Sequence, residues 1–203
     1  MQISVGTKIA LKFAGGAAFT ATGVVCGILA RADAALFAPL LAGLLFGVLG
    51  DFLLAAKNVR EKRYEKLFFA GGIAAFAAGH IAYIVYFYRL APHGYLAPLS
   101  AAAFAVVYVL VTATVCKFKY GVMLVPVSLY CFVVVYSFAA AVSAAVAGTA
   151  GVLVAVGAAL FLVSDIVLSV YIFAPVRCRV LGILNLAAYF PAQFLLALSI
   201  LFV

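Results

Sequence analysis

Charge is what this chain lacks most. Of its 203 residues only 9% are Asp, Glu, Lys or Arg, against 70% hydrophobic, and the mean hydropathy is +1.35. Soluble domains are about a quarter charged and about half apolar. A shortage this deep excludes a water-facing surface, so the solvent is lipid. Regular alternation of polar and apolar residues is lacking too, which excludes a membrane barrel. Lipid then leaves only helices, because each backbone N–H and C=O must be paired within the segment. Cys26, Cys116, Cys131 and Cys178 form no CxxC and no Cys/His cluster. Neither a disulfide frame nor a metal site is indicated, and the four pack as small apolar residues. The net charge of +8 does not point to nucleic acid; loop Lys and Arg serve to set membrane topology. Linkers, low-complexity tails and a second domain are absent, so residues 1–203 read as one transmembrane helical domain. No metal or cofactor is expected.

What is present is a series of apolar runs about 20 residues long, the length a helix needs to cross hydrocarbon. Charged and turn residues divide them into seven spans, near 9–30, 35–56, 67–89, 96–116, 120–142, 149–174 and 180–202. The fold class is therefore all-α, a polytopic membrane protein with seven transmembrane helices. Lys8 and Lys12 ahead of an apolar stretch ending in ARADA (Ala30 to Ala34) resemble a signal peptide; the stretch is read as the first span. The weakest division is SAAVAGTAG (Ser143 to Gly151), which offers glycine but no charge. One fused helix there would be far too long for a bilayer.

Basic residues orient the spans. Lys8 and Lys12, then Lys57, Arg60, Lys62, Arg63 and Lys66, then Lys117 and Lys119, then Arg177 and Arg179 fall on one side. These are 11 of the 13, leaving Arg31 and Arg89 on the other. The asymmetry places the N-terminus in the cytoplasm. The expected location is a bacterial inner membrane, with KNVREKRYEK (Lys57 to Lys66) against anionic headgroups.

Only three aspartates occur, and two share the frame small-Asp-x-x-Leu: Gly50-Asp51 with Leu54, and Ser164-Asp165 with Leu168. They fall in the second and sixth spans, which run the same way. This faint echo fits a 3+1+3 parallel repeat about an axis along the membrane normal. Ionisable groups within spans are costly and mark functional sites by default. By rise per residue both acids lie in the cytoplasmic half of the bilayer. On the third span His80 and Tyr83 share a helix face. On the last, Asn185, Tyr189 and Gln193 recur every four residues as one polar stripe. Such a stripe must face other helices or water. Pro191 frees a carbonyl beside it. These groups would converge on one cavity open to the cytoplasmic leaflet. Interhelical hydrogen bonding is the plainer reading of Tyr83, Asn185, Tyr189 and Gln193, and snorkelling of Lys12. Tyr108, Thr112 and Cys116 make a second stripe that packing explains.

Taken together, these stretches resemble the lysoplasmalogenase family, the YhhN-like multi-span membrane proteins. The resemblance rests on Gly50-Asp51 with Leu54, Phe76 with Gly79-His80 and Tyr83, Leu160-Phe161 with Ser164-Asp165 and Leu168, and Tyr189 with Ala192-Gln193. Order and spacing agree from about residue 40 onward. Many members carry one more N-terminal span, and a Lys-Pro where this chain has Lys12-Phe13. The resemblance implies hydrolysis of the vinyl-ether bond of a lysophospholipid, giving a fatty aldehyde and a glycerophospho-base. Asp51, Asp165 and His80 would be catalytic. Tyr83, Ser164, Asn185, Tyr189, Gln193 and Lys12 would bind substrate.

The chemistry suits two acids. A vinyl ether is cleaved by protonation at carbon, giving an oxocarbenium ion to which water adds. A buried carboxyl keeps its proton more readily than a solvated one, and a second carboxylate can oppose the cation, as in glycosidases. Either aspartate could be the proton donor. Three other classes stand against this. A small 3+1+3 transporter would use the same polar cavity. An intramembrane aspartyl protease shares the two acids, but Val48 replaces the first glycine of its Gly-x-Gly-Asp signature. A retinal receptor would need a lysine that the seventh span lacks.

Overall fold

The computed structural model describes residues 5–56, 62–148, 151–175 and 178–203, with side chains from residue 10 onward except at 62 and 179. Among them there are seven α-helices: α1 (Val5–Leu29), α2 (Ala34–Ala56), α3 (Lys62–Leu90), α4 (Leu96–Thr114), α5 (Leu124–Val146), α6 (Gly151–Phe173) and α7 (Arg179–Ser199). A 3₁₀ turn, Gly121–Met123, leads into α5, and another, Ile200–Phe202, follows α7. All seven are long and apolar enough to cross a membrane. Their outer faces carry Phe13, Ile28, Phe52, Val106 and Leu129 exposed, as lipid contact requires.

The expected spans hold to within a few residues, except that α1 is helical four and α3 five residues earlier, and α5 is shifted four residues onward at both ends. Apolar composition locates the hydrocarbon, whereas a helix continues past it wherever no breaker stands; α3 opens with KRYEK on the water side. The uncertain division is real. Helix α5 ends at Val146, Gly148 has φ +84°, and Gly151 has φ +51°. That left-handed backbone is where glycine stops a helix without strain. Of the eleven basic residues that the sequence places on one side, Lys57, Arg60 and Arg177 lie outside the described residues.

Helices α1, α2, α3, α5, α6 and α7 pack in that order, each against the next, and α7 returns against α1. Helix α4 packs against α5. Advancing each helix of the ring by four numbers (α1 to α5, α2 to α6, α3 to α7) gives the same neighbours. This is the order a 3+1+3 repeat produces. The two closest pairs, α2 with α3 and α6 with α7, also use the same device. Gly43 receives Tyr83, and Gly157 receives Leu196, each glycine eight residues before its helix's aspartate. A Cβ at either would crowd the facing side chain, so the missing side chain is what permits the close approach.

The core is aromatic at its centre. Phe19, Phe76, Phe161 and Phe190 surround the Tyr189 ring at centroid distances of 5.3–6.2 Å, mostly edge-on, as ring quadrupoles prefer. The α4–α5 loop folds over the end of α6: Lys119 N–H donates to the Phe173 carbonyl at 2.9 Å, and the Tyr120 ring packs on Phe173. The Tyr120 hydroxyl pairs with Thr112 Oγ1 at 2.6 Å.

Candidate active site

Helices α1, α2, α6 and α7 meet at the depth of the two aspartates. Asp51 lies five residues from the end of α2 and Asp165 eight from the end of α6, about 8 and 12 Å along the axis. Lys12, Asp51, Ser164, Asp165, Asn185 and Tyr189 line one cavity of about 300 Å³, with Leu54, Phe76 and Leu168 as its apolar wall. Six of the nine residues singled out from the sequence therefore face a common space.

Each acid has its own partners. Lys12 Nζ stands 2.6 Å from Asp51 Oδ1, an ion pair between α1 and α2. Lys12 lies near the start of the apolar part of α1, which runs from Ala10, and its ammonium is turned to the acid. Asp51 Oδ2 is buried without a hydrogen-bond partner. Asp165 Oδ2 accepts a hydrogen bond from the Tyr130 hydroxyl at 3.0 Å and lies 3.5 Å from His80 Nε2. His80 is buried beside Phe161, at 4.4 Å between ring centroids, and neither of its nitrogens makes a hydrogen bond.

The remaining predicted residues build the wall. Asn185 Nδ2 donates to the Ser164 carbonyl at 3.0 Å and to Ser164 Oγ at 2.7 Å, clamping α7 to α6 next to Asp165. Tyr83 and Gln193 are fully buried behind the cavity and are not in its lining. The Tyr83 hydroxyl donates to Gln193 Oε1 at 2.5 Å, and Gln193 Nε2 donates to the Tyr189 hydroxyl at 3.2 Å. This chain runs from α3 through α7 and fixes the one member, Tyr189, that reaches the cavity. Gly47 makes room for it, since a Cβ there would overlap Gln193 Nε2. Gly50 similarly admits Phe76, whose ring would come within 2.7 Å of a Cβ.

A second, larger cavity adjoins the first. It measures about 680 Å³ and runs between α3, α4, α5 and α6. Its lining is almost wholly apolar, including Phe69, Ile73, Phe104, Val134, Ile166 and Ile172. Leu54, Phe76, Asp165 and Leu168 belong to both cavities. Asp165 thus stands where an apolar groove meets a polar chamber. In the groove's wall, one turn of α6 from Asp165, Ser169 Oγ pairs with the Tyr108 hydroxyl; Thr112 of the same stripe pairs with Tyr120, and Cys116 is exposed.

Tyr130 is the residue that sequence reading missed. It lies sixteen residues before the end of α5, much as Lys12 lies seventeen before the end of α1. Its signal was that correspondence, legible only once the two three-helix units are superposed. Among the described residues no group of three or more His, Cys, Asp or Glu side chains could hold a metal ion.

A helical membrane protein with two acids in a polar chamber, one of them also facing an apolar groove, is the class this architecture defines. The YhhN family pattern matches residues 8–200, nearly the whole chain. The chain belongs to the YhhN family, which includes lysoplasmalogenases, and that membership suggests a lysoplasmalogenase-type membrane protein. Comparison with curated proteins and with solved structures finds no match.

Proposed function

We propose that this protein is a hydrolase that cleaves the vinyl-ether bond of lysoplasmalogens within the membrane, releasing a fatty aldehyde and glycerophosphoethanolamine or glycerophosphocholine. The observation that carries the reading is the position of Asp165, on the wall common to an apolar groove and a polar chamber that also holds Asp51. A single alkenyl chain fits the groove. Its ether oxygen then reaches the acids, and its glycerol hydroxyls meet Asn185 and Tyr189. The phosphate lies toward the cytoplasmic face, where the basic residues gather. Protonation at carbon gives an oxocarbenium ion, which a carboxylate stabilises as in glycosidases. General acid catalysis of this kind contributes about 10²–10⁴-fold.

Several observations support His80 in a supporting place, near Asp165 and shielded by aromatic rings. Membership of the YhhN family favours this reaction class. The N-terminus is proposed to be cytoplasmic on the distribution of Lys and Arg, with a bacterial inner membrane as the setting. The test is direct: purified protein is given a lysoplasmalogen and its acyl-lysophospholipid analogue, and products are read by mass spectrometry. Aldehyde from the first alone supports the reading. No aldehyde from a folded protein overturns it.

A second reading, a small transporter, draws on the ring order that maps α1, α2 and α3 onto α5, α6 and α7. It predicts solute flux into proteoliposomes without product.

A further inference from the structure

The two acids sit in matching frames, but their surroundings differ in kind. Asp51 is held by a cation, Lys12, at 2.6 Å. Asp165 is held by a neutral hydroxyl, Tyr130, at 3.0 Å. Both partners come from the first helix of their three-helix unit, α1 and α5, at nearly the same distance from its end. One site therefore carries a lysine where the other carries a tyrosine. Among the described residues the other group in ion-pair range of Asp165 is His80, at 3.5 Å. The His80 nitrogens make no hydrogen bond in their aromatic surroundings.

Access differs as well. Asp165 touches both cavities, whereas Asp51 faces only the polar chamber. An alkenyl chain in the groove meets Asp165 first. Asp51 Oδ2 is buried, makes no hydrogen bond of normal geometry although the Tyr189 hydroxyl is close to the carboxyl, and belongs to a residue lining the chamber. A buried carboxylate oxygen without a partner is costly unless water or ligand completes it.

We propose that the two acids have fixed and different duties: Asp165 delivers the proton to the alkenyl chain, and Asp51, kept as a carboxylate by Lys12, holds the hydrolytic water on Oδ2. Lys12 and Tyr130 are the positioning residues that make the assignment. The proposal rests on the vinyl-ether reading of the site. The cycle balances. Asp165 gives its Oδ1 proton to the carbon next to the ether carbon, and the double bond's electrons leave an oxocarbenium ion. Water on Asp51 adds to the ether carbon while its proton passes to Asp51. In the hemiacetal that results, Asp51 returns that proton to the glycerol oxygen as the carbon–oxygen bond breaks. The hemiacetal hydroxyl gives its proton to Asp165 as it becomes the aldehyde. Both acids end as they began.

Infrared spectroscopy of the full-length protein in lipid films tests this without turnover, because a protonated carboxyl has its own carbonyl stretch. The expected wild-type spectrum contains one such buried band. Asp165→Asn removes it and Asp51→Asn leaves it. Tyr130→Phe shifts its frequency without removing it, since one hydrogen bond to Asp165 is lost. Lys12→Met adds a second band, because Asp51 loses its counter-ion. If Asp165→Asn does not fold, Asp165→Glu takes its place and must move the same band. Removal of the band by Asp51→Asn, its absence from the wild type, or its indifference to Tyr130→Phe overturns the assignment. The spectra and the enzyme assay fail separately. The expected bands with no aldehyde release would sink the proposed function alone, and aldehyde release with the bands reversed would sink the assignment alone.

Discussion

Lys12 on α1 and Asp51 on α2 form an ion pair at 2.6 Å inside the bilayer, with the lysine side chain 26% exposed and the aspartate 7%. Desolvating both charges is expensive, and their mutual attraction roughly offsets that cost. Removing one partner is a different matter, because it strands the other. Lys12→Met is therefore expected to destabilise the protein by about 2–3 kcal/mol, below the 3–5 typical of a fully buried pair because Lys12 is partly solvated. Thermal unfolding in detergent measures this. The double variant Lys12→Met, Asp51→Asn should regain most of the stability and remain inactive, which separates the structural duty of the pair from its chemical one.

Asp51→Asn and Asp165→Asn should each lower turnover by about 10²–10⁴-fold while leaving the helical circular dichroism and the elution volume unchanged. The double variant should be little worse than the poorer single one, since residues acting as a unit are not additive. Strictly multiplicative losses would contradict a shared site.

The Tyr83–Gln193–Tyr189 chain predicts an effect from a residue that touches no substrate. Gln193→Leu leaves the Tyr83 and Tyr189 hydroxyls buried without their partner, a loss of about 1–3 kcal/mol. Gly47→Ala should reach the same end from the other side, by pushing the Gln193 amide away. Both variants should lower the unfolding temperature and blunt turnover through Tyr189. A Gly47→Ala protein with wild-type stability and rate would show that this chain does not support the site.

The apolar groove makes a prediction about chain length. Val134 and Ile73 line the groove and not the polar chamber. Val134→Trp or Ile73→Trp should raise KM for long alkenyl chains more than for short ones, with kcat for short chains nearly kept. Loss of the groove's volume is the cause, because the reacting end of the chain lies elsewhere. An equal rise for all lengths would place the chain outside this groove.

Much of this architecture could be read from residue order alone, and the reasons are physical. Lipid permits few folds, so seven apolar runs became seven helices, and even the glycine-only break near Gly148 and Gly151 could be placed. The cost of an intramembrane acid singled out Asp51 and Asp165. The four-residue spacing of Asn185, Tyr189 and Gln193 put them on one face, though only the first two line the cavity. What spacing does not encode is depth behind a wall. Gln193 and Tyr83 lie one layer back because Gly43 and Gly47 let them in, and that depends on how α2, α3 and α7 meet. Tyr130 was invisible for a related reason: a tyrosine in an apolar helix has many uses, and its hydrogen-bond acceptor, Asp165, is 35 residues away. The large groove could not be seen either, since no single helix carries it.

The most direct measurement follows the atoms of water. Wild-type protein is incubated with a lysoplasmalogen in D₂O, and separately in H₂¹⁸O, and the aldehyde is reduced at once and analysed by mass spectrometry. The predicted aldehyde carries one solvent deuterium on the carbon next to the carbonyl, and ¹⁸O in place of the ether oxygen, while the glycerophospho-base keeps its original oxygen. Label in the glycerol oxygen, or an aldehyde with no deuterium at that carbon, would contradict protonation at carbon followed by water addition.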